Sequence, residues 1–205
     1  MTIMPLPYDQ PALDRFDREG PFIWLWEPDR VECVLGAGTP PGDVDLTLCA
    51  ASGVPVYRRR GGGGAVVLAP GTLVITAAYD AAGKQFATQW INPIAEAIVR
   101  AVVSLGVQGA RVAGLGDVAI GERKILGSSL YANRRVALYQ GSLLVDPDLS
   151  LIPIYLPHPS KEPEYRRGRD HLSFVTALAC EGYSGGMAPL MAALERELKQ
   201  VQASP

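Results

Sequence analysis

At 205 residues the chain has room for one full hydrophobic core, and 48% apolar with 20% charged residues excludes a disordered or fibrous class. A formal net charge of −2 gives no overall basic field, which excludes a nucleic-acid binder driven by global charge. No apolar run approaches a membrane span, and the start MTIMPLPYDQ lacks a basic n-region and an apolar h-region, so a cytoplasmic protein with no membrane partner is expected.

Residues 1–20 are rich in proline and charge and support at most a short helix near Leu13–Arg18. PFIWLWEP (21–28) and VECVLGAG (31–38) read as two strands around a turn at Pro28–Arg30. Asp45–Ser52 reads as a short helix stopped by Gly53. VPVY (54–57) is a short strand leading into an Arg-Gly run, and Ala65–Leu68 and Leu73–Tyr79 are strands about a turn at Pro70-Gly71. The strongest helical pattern is Lys84–Leu105, where Phe86, Trp90, Ile94, Ile98 and Val102 recur at spacings of four and Gly106 stops the helix. Pro93 predicts a kink there, or a start nearer Asn92. Asp117–Ile120, Lys124–Tyr131 and Val136–Val145 read as a meander with tight turns at Gly121-Glu122 and Asn133-Arg134. After Asp146, five prolines and many charges make an irregular segment, long enough to be functional or mobile. MAPLMAALERELKQ is an amphipathic helix with Leu190, Ala193, Leu194 and Leu198 on one face. No repeat or linker divides the chain, so residues 1–205 are expected to form a single domain.

Two stretches carry chemistry. YRRRGGGGAVVL (57–68) places four consecutive glycines between three arginines and an apolar strand. A turn needs one or two glycines for positive φ, so the extra ones mean close approach to bare backbone. Beside Arg58, Arg59 and Arg60 the approaching group is expected to be anionic, a phosphate or carboxylate. No Lys-Ser or Lys-Thr follows the run, which excludes a P-loop, and a strand rather than a helix follows it, which excludes the dinucleotide fingerprint. The second stretch is GDVAIGERKILGSS (116–129), with Lys124 in a hairpin. Alternation along a strand sends Arg58 and Arg60 opposite to Arg59.

In these residues the chain resembles the lipoate–protein ligase A family, within the wider biotin/lipoate ligase and octanoyltransferase fold. The resemblance runs from about Phe22 to Leu178. Leu25-Trp26 and ECVLGAG resemble early family strands, and RRRGGGGAV its arginine and glycine signature. GDVAIGERKILGSS resembles its Asp, then Arg-Lys-aliphatic-x-Gly-Ser signature, and QGSLLVDPDLSLIPIYL its His-Gly-Thr-Leu-Leu, then Asp-Leu, segment. The resemblance implies an α/β fold of α+β type, with a curved mixed or antiparallel sheet flanked by helices, as in biotin ligases and class II synthetases. It also implies ATP-dependent activation of lipoate to lipoyl-AMP, with magnesium, and transfer to a lysine of a lipoyl-carrier domain. On this basis Lys124 is the catalytic cation. Trp26, Arg59, Gly61, Gly62, Gly63, Gly64, Ala65, Asp117, Gly127, Ser128, Gln140, Gly141 and Ser142 are expected to contact substrate or adenylate, with Asp117 also a candidate for magnesium. Four positions depart from the family pattern: Leu68 and Ala69 for His-Asp, Gly116 for Asn, and Gln140 for His. The accessory domain of long ligases is not found in the sequence, so a separate small protein is an expected second partner.

Other readings stay open at this level. Asp117 fits a turn residue as well as a ligand contact. His158 and His171 read as structural or surface, and Arg166, Arg167 and Arg169 as a solvated run or a face for an acidic carrier domain. Cys33, Cys49 and Cys180 are odd in number and lack CxxC spacing, so reduced thiols are expected. An octanoyl or lipoyl transferase would need a reactive thiolate in the segment after DLS, which reads YLPHPS without cysteine; Cys180 keeps that alternative open. A third reading is a non-catalytic module that binds adenylate or carrier.

Overall fold

A computed structural model describes residues 1–81 and 88–203. In chain order the elements are β1 (Met4–Pro5), α1 (Asp9–Glu19), β2 (Phe22–Trp26), β3 (Glu32–Leu35), α2 (Leu46–Ser52), β4 (Val56–Arg58), β5 (Val66–Leu68), β6 (Thr72–Asp80) and α3 (Thr88–Ser104). They continue as β7 (Ala110–Ala113), β8 (Asp117–Ile120), β9 (Arg123–Ala132), β10 (Val136–Leu144), α4 (Leu151–Tyr155), α5 (His171–Phe174) and α6 (Met187–Ala203). The larger sheet has six strands in the order β2-β6-β10-β9-β8-β7, all pairs antiparallel. The smaller has four, β1-β4-β3-β5, with parallel pairing except between β3 and β5. This is the mixed α/β fold expected.

Alternation along β6 sets the layers, because successive side chains of a strand face opposite ways. Leu73, Ile75, Ala77 and Tyr79 point into the main core with Ile94, Ile98 and Val102 of α3 and Leu190, Leu194 and Leu198 of α6. Each fully buried Leu, Ile or Val among them contributes about 1.5–3 kcal/mol. On the opposite face Ala78 packs with Ala12 of α1, and Val74 packs with Val34, Tyr57 and Leu68 of the smaller sheet. The seam between the two sheets therefore lies on the even-numbered face of β6.

The structure lengthens and adds to the predicted elements. α1 spans Asp9–Glu19 rather than Leu13–Arg18, with Pro11 in the first turn, where its missing N–H leaves no helix bond unmade. α3 runs through Pro93 from Thr88, not from Asn92; Lys84 and Phe86 lie outside the described residues. β7 is an edge strand of four residues, too short to signal itself. The segment after Asp146, expected to be irregular, contains α4, α5 and a 3-10 turn at Glu164–Arg166. Among the described residues no helix is long and apolar enough to cross a membrane.

Candidate functional site

The glycine run joins β4 to β5, and its four members meet different surroundings. A Cβ on Gly61 would sit against Ser129 Oγ and 3.2 Å from the Leu130 backbone carbon. Gly63 has φ +92°, and a Cβ there would meet Arg59 Nη2 at 2.9 Å. A Cβ on Gly62 or on Gly64 would meet nothing within 4 Å. Two glycines thus serve the packing of the loop on β9, and two present open backbone. Arg59 is buried and organises the loop. Its Nη2 donates to Gly62 O at 2.7 Å and Gly64 O at 2.9 Å, and its Nε to Ser129 Oγ at 2.9 Å. Burial pushes its pKa down to about 10, with the Asp9 charge opposing that shift. Arg58 donates to the carbonyls of Gly36 at 2.7 Å and Thr39 at 2.9 Å. Arg60 is exposed and reaches Gln10 Oε1 at 2.8 Å.

Lys124 comes from β9, next to the bulge between Val118 and Ala119 of β8. Its ammonium lies 2.9 Å from Asp117 Oδ1. The other oxygen of that buried carboxylate, Oδ2, accepts a hydrogen bond from the Tyr165 hydroxyl at 2.8 Å. Burial raises the Tyr165 phenol, with the Asp117 charge adding to the effect, so the hydroxyl stays a donor. The strand itself is pinned from outside the sheet, where Thr176 N donates to Lys124 O at 2.9 Å.

Between the sheets lies a cavity of about 210 Å³. Of the residues singled out from sequence, Trp26, Arg59, Gly64, Ala65, Lys124, Gly127, Ser128, Gln140, Gly141 and Ser142 line it. Gly61, Gly62, Gly63 and Asp117 do not; Asp117 is reached through Lys124. The lining includes the apolar residues Leu6, Val34, Val66, Leu68, Val74 and Leu144 together with the basic residue Lys124. Trp26 packs against Tyr8 with ring centroids 4.5 Å apart, so it is both wall and core. Gln140 is held by Asp9, whose Oδ1 accepts from Gln140 Nε2 at 2.8 Å while Oδ2 accepts from Arg60 N at 2.7 Å. Burial raises the Asp9 pKa, against both hydrogen bonds.

Several lining groups were missed in the sequence. Tyr8 and Leu6 precede the first matched motif, and Pro157, Lys161, Arg166, His171 and Phe174 come from the segment after Asp146. Its prolines and charges signalled a functional loop but not which side chains turn inward. The arginine run is not a solvated face. Arg166 is 4% exposed, with its guanidinium carbon 4.9 Å from the Phe174 ring centre. Arg169 donates to Tyr165 O at 2.8 Å, and of the three only Arg167 is exposed. His171, read from the sequence as structural or surface, lines the cavity and contacts Pro157 O at 3.1 Å, and burial lowers its pKa.

The metal expectation fits poorly. Both Asp117 oxygens are engaged, by Lys124 and Tyr165. Among the described residues no three His, Cys, Asp or Glu side chains gather as a ligand group. None of the three cysteines lines the cavity.

Comparison with known proteins gives a consistent result. A family model described as lipoyl protein ligase A/B catalytic domain matches residues 4–199. Lipoate–protein ligase 1 of Staphylococcus aureus is 33% identical over 107 residues, 52% of this chain and 32% of that protein. Lipoate-protein ligase A subunit 1 of Thermoplasma acidophilum is 27% identical over 172 residues, 78% of this chain and 65% of that protein. The chain therefore spans less than two thirds of either relative. A solved bipartite lipoate protein ligase with its E2 lipoyl domain, from T. acidophilum, superposes with TM-score 0.78 at 22% identity, covering 98% of this chain and 82% of that one. A lipoate-protein ligase A bound with ATP gives TM-score 0.72 at 20% identity, with 98% and 84% covered. At such identities the superpositions establish the fold.

Proposed function

This chain belongs to the lipoyl protein ligase A/B catalytic domain family, and from that premise we propose that it is a lipoate–protein ligase. In the first step the lipoate carboxylate attacks the α-phosphorus of ATP, giving lipoyl-AMP and releasing pyrophosphate. In the second, a lysine amine of a lipoyl-carrier domain attacks the acyl carbonyl, forming an amide and releasing AMP. The single observation that carries the reading is one cavity lined by a long apolar wall, the open backbone of Gly64 and the Lys124 ammonium. An acyl adenylate is that combination: an apolar tail joined to a phosphate ester.

Lys124 acts as a fixed charge. Negative charge grows on the phosphoryl oxygens in the first step and on the carbonyl oxygen in the second. An ammonium held beside both stabilises each transition state more than its ground state. Gly64, Ala65, Gly127 and Ser128 shape the adenylate side of the cavity, Gln140, Gly141 and Ser142 the floor, and Trp26 the acyl wall. With one oxygen on Lys124 and the other on Tyr165, Asp117 serves as counter-ion to Lys124 rather than as a ligand for magnesium. The lipoyl domain in the T. acidophilum system supports a carrier-domain acceptor. That relative's subunit designation supports a separate accessory protein as second partner.

The test is incubation with ATP, lipoate, magnesium and a lipoyl domain. The expected result is a carrier heavier by one lipoyl group, with the same product from pre-formed lipoyl-AMP alone. Unmodified carrier in both assays would overturn the reading. Product from lipoyl-AMP only would assign activation to the accessory protein.

A further inference from the structure

We propose that Tyr165 is a positioning residue that fixes Asp117, and through it aims the Lys124 ammonium into the cavity. The inference rests on the reading of Lys124 as the charge that stabilises both steps. A lysine carries its charge on a flexible four-carbon stem, so a well-placed ammonium needs an anchor. Asp117 supplies one at 2.9 Å. A carboxylate held through one oxygen still rotates about its Cβ–Cγ bond, and the ammonium rotates with it. A donor on the second oxygen stops that rotation, and Tyr165 provides it at 2.8 Å. Hydrogen bonds to an ionised acceptor are the stronger kind.

Tyr165 is itself well held. Its ring lies 5.2 Å from the Phe174 ring centre, and it comes so close to Gly114 that a Cβ there would stand 3.2 Å from Tyr165 Cε1. Its carbonyl accepts from Arg169 Nη2 at 2.8 Å. The same segment grips Lys124 a second time, through the bond from Thr176 N to Lys124 O. Backbone and side chain of Lys124 are thus fixed from one stretch, residues 165–176, which the larger sheet does not include.

Tyr165→Phe keeps the ring contacts and removes only the hydroxyl. Transfer from pre-formed lipoyl-AMP to a lipoyl domain in a single turnover is expected to fall roughly 10-fold, below the ~10² that a 1 Å misplacement can cost. Affinity for lipoyl-AMP, read by calorimetry, is expected to stay within about twofold, since the ammonium remains in the cavity. In an Asp117→Ala background, adding Tyr165→Phe is expected to cost nothing further, because its route to Lys124 is already broken. An unchanged rate, an equal loss in both backgrounds, or a loss of affinity alone overturns the proposal. Acetylation of Lys124 by acetic anhydride, followed by mass spectrometry, reads the anchor without any turnover. The amine is expected to react faster in Tyr165→Phe, and equal labelling overturns the proposal. A wild-type protein that transfers nothing from lipoyl-AMP refutes the ligase reading, while the labelling still decides the role of Tyr165.

Discussion

The glycine loop and the lysine strand look like two halves of one anion site, each with a cation beside glycine. The structure uses their cations in opposite ways. Arg59 directs its guanidinium at the carbonyls of Gly62 and Gly64 and at Ser129, all within its own neighbourhood. Lys124 pairs with one carboxylate, Asp117, and is itself a residue of the cavity lining. A cation in a motif is available to a ligand only when the protein has not already surrounded it with acceptors. On the proposed reading, Arg59 therefore braces the loop and Lys124 is the cation left for a ligand.

The largest expected effect falls on Lys124. Lys124→Ala should slow transfer from pre-formed lipoyl-AMP by ~10²–10³, about 3–4 kcal/mol, with a smaller change in ligand affinity. Lys124→Arg should rescue poorly, since a planar guanidinium is wider than an ammonium and cannot act as a point charge. Single-turnover rates and calorimetry measure the two quantities separately. A variant that lost affinity but kept its rate would make Lys124 a binding residue only.

Arg59→Ala should act first on stability. It strands buried carbonyls and leaves a hole in the loop, at a cost of about 2–3 kcal/mol by denaturant unfolding. Activity should fall with it, because the loop loses its brace. Full activity at unchanged stability would break the contrast with Lys124.

The four glycines divide the same way. Gly61→Ala should destabilise by about 1–3 kcal/mol, because its methyl group meets Ser129 and the Leu130 backbone. Gly64→Ala, with open space around it and an ordinary φ, should hold or slightly raise stability by trimming unfolded-state freedom. Its methyl group would stand on the cavity wall, so lipoyl-AMP affinity should drop instead. Gly62→Ala should alter neither.

A smaller effect belongs to Asp9, which ties Arg60 at the start of the glycine loop to Gln140 of β10. Burial raises its folded-state pKa above the unfolded value of about 3.9. Within that window the folded state binds more protons than the unfolded one, so this group lowers stability as pH rises. Asp9→Asn should remove that slope while Gln140 turns its amide to keep the contact. Comparing unfolding midpoints of the two proteins below and above the window checks the sign.

Much of this was legible in the chain, for physical reasons that differ by region. α3 and α6 carry sustained spacings of three and four, and β6 and β10 carry long apolar runs, so local pattern identified them. Lys124, Gly64 and Gln140 were found through motifs in matching order. The positions of Tyr8, Tyr165 and Arg166 depend on contacts distant in sequence: Tyr165 meets Asp117 across 48 residues. No local spacing encodes such a contact. Arg59 was legible as a site residue but not as a brace, because its acceptors are backbone carbonyls, which every residue carries.

The smallest expected effect is the most decisive about mechanism. A transferase working through a thioester needs a thiolate facing the acyl carbonyl. Cys33 and Cys49 are buried with sulfurs 3.8 Å apart, and burial raises both thiols, which disfavours the thiolate. Cys180 is exposed, in the 3-10 turn Ala179–Glu181, and does not line the cavity. Cys180→Ser changes one surface atom, so stability should stay within about 0.5 kcal/mol and transfer from lipoyl-AMP should be unchanged. The same variant assayed with an octanoyl thioester as donor separates the chemistries: a ligase is inactive with that donor whether residue 180 is serine or cysteine. Transfer from the thioester that disappeared in Cys180→Ser, while Lys124→Ala retained it, would replace the adenylate mechanism with a covalent one.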